Sequence, residues 1–179
     1  MSNEPSPGRD ESGDEAIFLE RTFAEQQLPL TRYAARLLGD AERARDVVQD
    51  TFVKLMAQPP AAINGHAVEW LFTVCRNRAM DVMRKEHRMS RFEDGEVERV
   101  TALDPRPGRT MERAETQAAM LRLIERLPAN QQEVVRLKFQ HGFSYKEISR
   151  ITDLSVGNVG FLIHTAVSRL RTEFAAQGP

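Results

Sequence analysis

Apolar residues recur along most of this chain at the three- and four-residue spacing of amphipathic helices, and no segment keeps the alternation of period two that predicts a strand. The repeat begins near Ile17. Residues 1–14, which precede it, are rich in serine, proline, glycine and acidic residues and predict a disordered tail. Pro29 has no backbone N–H, so we expect it to break or restart the first helix, which ends near Gly39. The pattern predicts an all-α protein.

Two further helices complete the first predicted domain. Asp40 can cap the second helix, Gln58-Pro59-Pro60 ends it, and a short loop over residues 61–65 leads to the third. The apolar stripe of the second helix consists of Ala44, Val47, Val48, Thr51, Phe52 and Leu55. The third helix is expected to bury Trp70, Leu71, Val74, Cys75, Ala79, Val82 and Met83. Its other side carries Asn77, Asp81, Arg84, Lys85 and Arg88.

The helical repeat fails over residues 91–111, where acidic residues are mixed with Pro105, Pro107 and Gly108. This composition predicts an acidic, flexible linker. We therefore expect two small helical domains, one over residues 15–90 and one over residues 112–175.

The second domain opens with a predicted helix from about Met111 to Leu127. Its apolar-face residues are Gln117, Met120, Leu121, Ile124 and Leu127. Asn130 and Glu133 have the spacing of a capping box and are expected to start the next helix, which ends at Gly142. The packing residues of that helix are predicted to be Val134, Val135 and Phe139.

A short helix, a tight turn and a longer final helix form a helix-turn-helix pattern, in which the second helix can lie in the major groove of DNA. Ser144 and Glu147 form a capping box for the short helix, which ends near Ile151, and Ser155 can cap the final helix. The final helix is expected to bury Val159, Leu162, Ile163, Ala166 and Leu170. Its outer face carries Gly157, Asn158, Phe161, His164, Thr165 and Ser168. This spacing alone fits an ordinary antiparallel helix pair as well as a DNA-reading unit.

The amino-acid composition excludes several classes of protein. Of the 179 residues, 41% are hydrophobic and 28% are charged, as in an ordinary globular chain. The single cysteine, Cys75, excludes a multi-cysteine zinc site and is expected to fill space in the core. No apolar run approaches the ~18 residues of a membrane span, so we expect a cytoplasmic protein without membrane insertion. No grouping of residues indicates a catalytic site or a cofactor.

The net charge of −1 hides a strongly uneven distribution. Residues 1–29 hold seven acids and two arginines, whereas residues 66–91 hold six basic residues and three acids. Residues 134–171 hold six basic residues and two acids. Basic stretches of this kind are either solvated helix faces or nucleic-acid contacts, and charge alone does not separate the two.

Three groups of motifs resemble one family. Tyr33–Asp40 and Asp46–Leu55 resemble the core of region two of sigma factors, and Trp70-Leu71, Arg76-Asn77 and Arg84-Lys85 resemble its promoter-melting helix. Further strings resemble region four: Leu127-Pro128, Gly142–Ile148 and Ser155–Val159. Over residues 17–174, the chain is similar to the extracytoplasmic-function sigma factors of bacterial RNA polymerase.

The resemblance implies partners and roles. The partners would be core RNA polymerase, promoter DNA and an anti-sigma factor, the chain itself would catalyse nothing, and the linker would thread the polymerase channel. The implied polymerase-binding residues are Asp46, Gln49 and Asp50. Those implied at the downstream promoter element and in melting are Asn64, Trp70, Arg76, Asn77, Arg84, Lys85 and Arg88. Those implied at the upstream element are Lys146, Ser155, Asn158, Phe161, His164, Thr165 and Arg169.

Several of these residues also have structural interpretations. The acidic residues of the second helix could form only a solvated face, Trp70 could stack on an extruded base or belong to the core, and Phe161 could pack against the first domain or an anti-sigma factor. Many family members carry arginines where this chain has Gly160 and Thr165. Phosphate contacts would then come from Lys138, Lys146, Arg150, Arg169 or Arg171, and base reading from Asn158, Phe161, His164 and Thr165.

Two other functions fit parts of the sequence. A freestanding helix-turn-helix regulator would bind duplex DNA without polymerase, and it would not need the acidic surface of the second helix. A nucleic-acid enzyme could use the same acidic helix to hold a divalent metal, but helix-borne carboxylates without a nearby histidine make a poor metal site. We expect the sigma-factor function.

Overall fold

The computed structural model describes residues 11–63, 65–90 and 111–176. These ranges contain eight α-helices and no strand, which confirms the all-α prediction. The chain divides into two compact units, Met1–Ala102 and Leu103–Pro179. The predicted linker over residues 91–111 lies outside the described residues except for Met111, and so does most of the predicted tail.

The helices of the first unit are α1 (Glu11–Leu38), α2 (Ala41–Met56), α3 (Pro60–Ile63) and α4 (Ala67–Ser90). Helix α1 packs on both α2 and α4, which also pack on each other. Because α1 already begins at Glu11, the last residues of the predicted tail are helical. The predicted loop after α2 also contains a short helix, since a proline at the first helical position has a preset φ and loses no hydrogen bond.

Helix α1 continues through Pro29, so the predicted break at this residue is wrong. An interior proline costs about 3 kcal/mol because it removes a hydrogen bond and crowds the preceding turn. Packing on both sides of Pro29 offsets this cost. On the N-terminal side, the ring of Phe23 lies 4.7 Å from that of Phe52 on α2. On the C-terminal side, Leu30 is fully buried and the ring of Tyr33 lies 5.1 Å from that of Phe72 on α4.

Helix α2 follows the prediction closely. Asp40 has extended backbone angles and its carboxylate accepts hydrogen bonds from the N–H groups of Glu42 and Arg43, at 2.8 and 3.1 Å. The hydrogen bond from Arg43 N–H lowers the pKa of Asp40. The buried residues are the predicted stripe: Ala44, Val47, Val48, Thr51, Phe52 and Leu55. Gly39 ends α1 with a φ of 69°, as expected for a C′ glycine.

Helix α4 is rotated relative to the predicted stripe. Leu71, Cys75 and Ala79 are buried as expected, but the predicted core residue Met83 is exposed. The fully buried Phe72, which the stripe omitted, takes a central place between α1 and α4. Trp70, Val74 and Val82 are half-buried. The reason is that α4 contacts two helices, so its buried sector is wider at its N-terminal half than one stripe.

The second unit contains α5 (Met111–Glu125), α6 (Ala129–Phe139), α7 (Tyr145–Thr152) and α8 (Val156–Ala176). Helix α8 packs on the other three. The side chains of the main cluster are Leu123, Ile124, Leu127, Val135, Ala166 and Leu170, with Met120 packed against it. Leu123 and the fully buried Leu137 were not predicted.

Two predictions about α6 are wrong. Pro128 occupies the N-cap position without a side-chain hydrogen bond, so Asn130 and Glu133 form no capping box. The Asn130 carboxamide oxygen accepts from the N–H of Gln131 instead, at 2.9 Å. Phe139 is 63% exposed, because Leu137 on the opposite side of the helix end fills the core.

Candidate functional site

The outer face of α2 combines acidic and apolar side chains. Asp46 and Gln49 are exposed, opposite the buried stripe. Val53 and Met56 continue the same face at helical spacing and are 60% and 61% exposed. Sequence reasoning missed these two, although large apolar residues just outside the stripe were a readable signal. We call these four residues the α2 outer face. Its mixture of charge and exposed apolar surface is typical of a protein-docking surface.

Asp50 lies one turn after Asp46 on the same side of α2 and also contacts α4. Its carboxylate faces α4, where Nε and Nη2 of Arg78 each lie 3.0 Å from Oδ2. A second ion pair, from Arg43 to Glu86, joins the same two helices. The predicted trio therefore lies on one side of α2, and Asp50 in addition joins α2 to α4.

The solvent-exposed side of α4 carries the predicted polar residues. Asn77, Arg84, Lys85 and Arg88 are all exposed. The guanidinium of Arg84 pairs with Asp81 at 3.1 Å, so part of its charge is balanced within the helix. The remaining excess of positive charge can contact phosphates, and Asn77 can contact a base edge.

Two other candidate residues of the first unit are less exposed to solvent. Arg76 and Trp70 are both half-buried on α4. Part of the indole of Trp70 is therefore available for stacking while the rest contributes to packing. Asn64 lies outside the described residues.

The helix-turn-helix is formed by α7, the turn Asp153–Ser155 and α8. Ser144 and Glu147 make the predicted capping box, with 3.3 Å from the Glu147 N–H to Ser144 Oγ and 2.7 Å from the Ser144 N–H to Glu147 Oε2. The hydrogen bonds with Ser144 lower the pKa of Glu147. Asp153 makes the turn with a φ of 57°, a left-handed conformation that aspartate tolerates better than most residues.

Helix α8 has both the N-cap and the buried side that the sequence predicts. Ser155 Oγ accepts a hydrogen bond from the Asn158 N–H at 3.2 Å, as predicted. The buried residues are the predicted ones: Val159, Leu162, Ile163, Ala166 and Leu170. Asn158, Phe161 and His164 are exposed on the other side, and Thr165 is half-buried. The structure thus places these three candidate base-reading residues on one solvent-facing surface.

Basic and aromatic side chains border this surface. Lys146 is exposed on α7, and Arg169 pairs with Glu173 at 2.9 Å. Lys138 Nζ donates to the carbonyl of Phe143 at 3.3 Å and lies 5.5 Å from the ring centroid of Tyr145. Tyr145 was not predicted as a site residue. Its position at the start of α7, 39% exposed, makes it a candidate for a phosphate contact.

A helical unit followed by a helix-turn-helix unit is typical of DNA-binding transcription proteins. Two family models match: Sigma-70 region 2 over residues 23–89 and Sigma-70 region 4 over residues 117–170. The chain belongs to the extracytoplasmic-function (ECF) sigma factors of RNA polymerase, the family of its relatives. It is a sigma factor that directs RNA polymerase to promoters.

Two relatives illustrate the similarity. The ECF sigma factor EcfG of Rhodopseudomonas palustris is 33% identical over 79% of this chain and 76% of its own length. SigL of Mycobacterium tuberculosis is 33% identical over 88% of this chain and 89% of its own.

Solved structures agree in fold. The sigma factor RpoE of Bartonella quintana, in complex with the anti-sigma factor NepR, superposes with a TM-score of 0.68 at 25% identity, covering 86% of this chain and 94% of that one. CnrH, solved with the cytosolic domain of CnrY, has a TM-score of 0.54 at 23% identity and covers 88% of each chain. Among the described helices, none has the length and hydropathy needed to cross a bilayer.

Proposed function

We propose that the α2 outer face is the surface by which this sigma factor binds core RNA polymerase. The observation that carries this proposal is the exposure of Asp46, Gln49, Val53 and Met56 on one side of α2. The carboxylate of Asp46 can orient an encounter with a basic partner, and the exposed apolar side chains supply area that becomes buried on docking.

The exposed side of α4 then contacts the downstream promoter element. Asn77, Lys85 and Arg88 face solvent together, and half-buried Trp70 presents part of its ring. Holding an extruded base costs a few kcal/mol of lost stacking, which stacking on an aromatic ring and phosphate contacts offset. Helices α7 and α8 bind the upstream element, with Lys138, Lys146 and Tyr145 on the phosphates.

In this function the polymerase makes the phosphodiester bonds, so the chain has no catalytic role of its own. The chain acts in the cytoplasm. RpoE of Bartonella quintana was solved in complex with the anti-sigma factor NepR. By analogy, an anti-sigma factor is the expected inhibitor of this chain.

Run-off transcription with core polymerase tests the main proposal. Addition of the full-length chain should produce promoter-specific transcripts. Asp46→Lys should weaken core binding by a factor of about ten or more, since close charge pairs are worth ~1.5–7 kcal/mol. Glu20→Lys reverses an exposed charge on α1 and serves as the matched control. Wild-type affinity in Asp46→Lys would refute the α2 outer face.

Asp50 needs a different variant because it pairs with Arg78. Asp50→Asn removes the ion pair between α2 and α4 and should lower stability by up to ~1 kcal/mol, the usual worth of an exposed pair.

Sequence-specific binding of duplex DNA by the chain alone, without any effect of polymerase, would favour a freestanding regulator instead.

A further inference from the structure

The outer face of α8 has an unusual chemistry for a helix that lies on DNA. Residues 156–168 contain no lysine or arginine. Phe161 projects from this stretch with 67% of its surface exposed, and no large apolar side chain in the described part of the chain is more exposed. The core of the second unit therefore does not hold the ring, which leaves it available to a partner.

Two glycines lie near Phe161 on α8. Gly157 lies one turn before it, and a Cβ added there would have no atom within 4 Å. Gly160 precedes it, and a Cβ there would touch only the ring of Tyr145, at 3.6 Å. Gly157, which has no such neighbour, allows the helix backbone to approach a partner closely, whereas Gly160 faces the ring of Tyr145. Phe161 is thus the one large apolar side chain on a face that otherwise carries small and polar residues.

The side chains available on this face determine which bases it can distinguish. Guanine is most often read by the fork of arginine or by lysine, at O6 and N7, and this face has neither. Asparagine reads adenine at N6 and N7, and an apolar side chain contacts the C5-methyl group of thymine. Asn158 and Phe161 are three residues apart, which is about 4.5 Å along the helix axis and comparable to the ~3.4 Å between stacked bases.

We propose that α8 reads A·T base pairs in the upstream promoter element, with Phe161 on a thymine methyl group and Asn158 on an adenine. This inference rests on the proposed function, in which α8 lies in the major groove at that element. The specificity-determining contact is then apolar rather than ionic. The phosphate contacts of Lys138 and Lys146 supply affinity without sequence preference.

Selection from random DNA tests the base preference. The holoenzyme, formed from the full-length chain and core polymerase, is incubated with a pool of duplexes carrying a random upstream segment. The bound fraction should be enriched in a fixed thymine and an adjacent adenine. Phe161→Ala should lose the preference at the thymine by about 5- to 150-fold. Phe139→Ala removes a ring of similar exposure from α6 and should leave the selected sequence unchanged.

Replacement of the selected thymine by deoxyuridine removes only the methyl group. With the wild-type holoenzyme, this change should reduce affinity about fourfold, the worth of one buried methyl-sized group. With Phe161→Ala, the same change should have no further effect, because the partner of the methyl group is absent. A fourfold loss in both proteins, or in neither, would overturn the contact.

The two proposals fail in different ways. If the holoenzyme selects a guanine-containing upstream element that Phe161→Ala does not alter, A·T reading is wrong while the sigma-factor surfaces stand. If the chain does not bind core polymerase, or the holoenzyme enriches no sequence, the proposed function itself fails. Circular dichroism of Phe161→Ala should match the wild type, since the ring is outside the core.

Discussion

Cys75 shows how a single residue is defined by its surroundings. Its side chain is fully buried between α2 and α4, and burial raises the pKa of the thiol to about 12. The hydroxyl of Thr51, itself fully buried, has the opposite but smaller effect. Since the thiolate is the reactive form, this cysteine is chemically inert in the folded protein.

We expect Cys75 to be unreactive towards a thiol reagent at pH 8 in the native protein. The reaction should become complete in guanidinium chloride, because unfolding restores an ordinary thiol pKa. The absorbance of released thionitrobenzoate measures this directly, and the chain has only one cysteine to report. Fast stoichiometric labelling without denaturant would contradict the buried position.

Phe72 and Met83 form a matched pair for the packing of α4. Phe72→Ala should lower the free energy of unfolding of the first unit by about 3–5 kcal/mol, because it leaves a large cavity. Met83→Ala should change it by less than about 1 kcal/mol, because the side chain is 41% exposed. Urea unfolding followed by the fluorescence of Trp70, the only tryptophan, reports on this unit. Equal losses of unfolding free energy in Phe72→Ala and Met83→Ala would contradict the burial of Phe72 and the exposure of Met83 on α4.

At the scale of elements, caps and ion pairs determine where helices start and how they join. Asp40, Ser144 and Ser155 each satisfy backbone N–H groups at the start of a helix. Arg78 and Arg43 of different helices pair with acids across the α2–α4 contact. Two of these caps lie beside the proposed DNA surface: the capping box of α7 precedes Tyr145 and Lys146, and Ser155 accepts from the N–H of Asn158.

Ser144→Ala should destabilise the second unit by about 1 kcal/mol at pH 7, the usual cost of losing a serine N-cap. It should also raise the pKa of Glu147 towards its ordinary value of 4.5, since the bonds with Ser144 lower it. A lowered folded-state pKa adds stability above pH ~4.5 that is lost as the pH falls through the folded value, so the effect of the mutation should shrink in acid. Carboxyl NMR titration and thermal unfolding measure both changes.

The control for this prediction is Ser168→Ala, a serine in the interior of α8 whose side chain is exposed. It should not lower the stability of the second unit, because alanine is a better helix former than serine, and it should leave the titration of Glu147 unchanged. If Ser144→Ala leaves the pKa of Glu147 where it is in the wild type, the capping box does not form in solution.

At the scale of the whole molecule, the proposed roles are divided among separate surfaces. The α2 outer face and the exposed side of α4 belong to the first unit, and the outer face of α8 belongs to the second. Changes in different surfaces should therefore affect different steps of initiation, because sites without shared partners act independently.

Asn77→Ala should reduce promoter opening while leaving core binding unchanged. Arg84→Ala should have a smaller effect, because Asp81 already balances part of its charge. Permanganate reactivity of thymines in the melted region measures opening, and a binding titration with core polymerase provides the second readout. Full thymine reactivity in Asn77→Ala, or an equal loss of polymerase binding, would remove the melting role from this residue.

The sequence by itself determined the helical class, the buried stripes of α2 and α8, and the caps at Asp40, Ser144 and Ser155. These features depend on local spacing, and each helix here buries a single sector or satisfies its first turn with a neighbouring side chain. The motif strings also indicated the family, which the comparisons confirm.

Only the tertiary structure decided the remainder, because it depends on contacts between residues far apart in the chain. Burial on both sides of Pro29 keeps α1 continuous, and the contact of α4 with two helices buries Phe72 and exposes Met83. Pairing with Arg78, 28 residues away, joins Asp50 of α2 to α4. Likewise, the closeness of Gly160 on α8 to the ring of Tyr145 on α7 depends on the packing of these two helices.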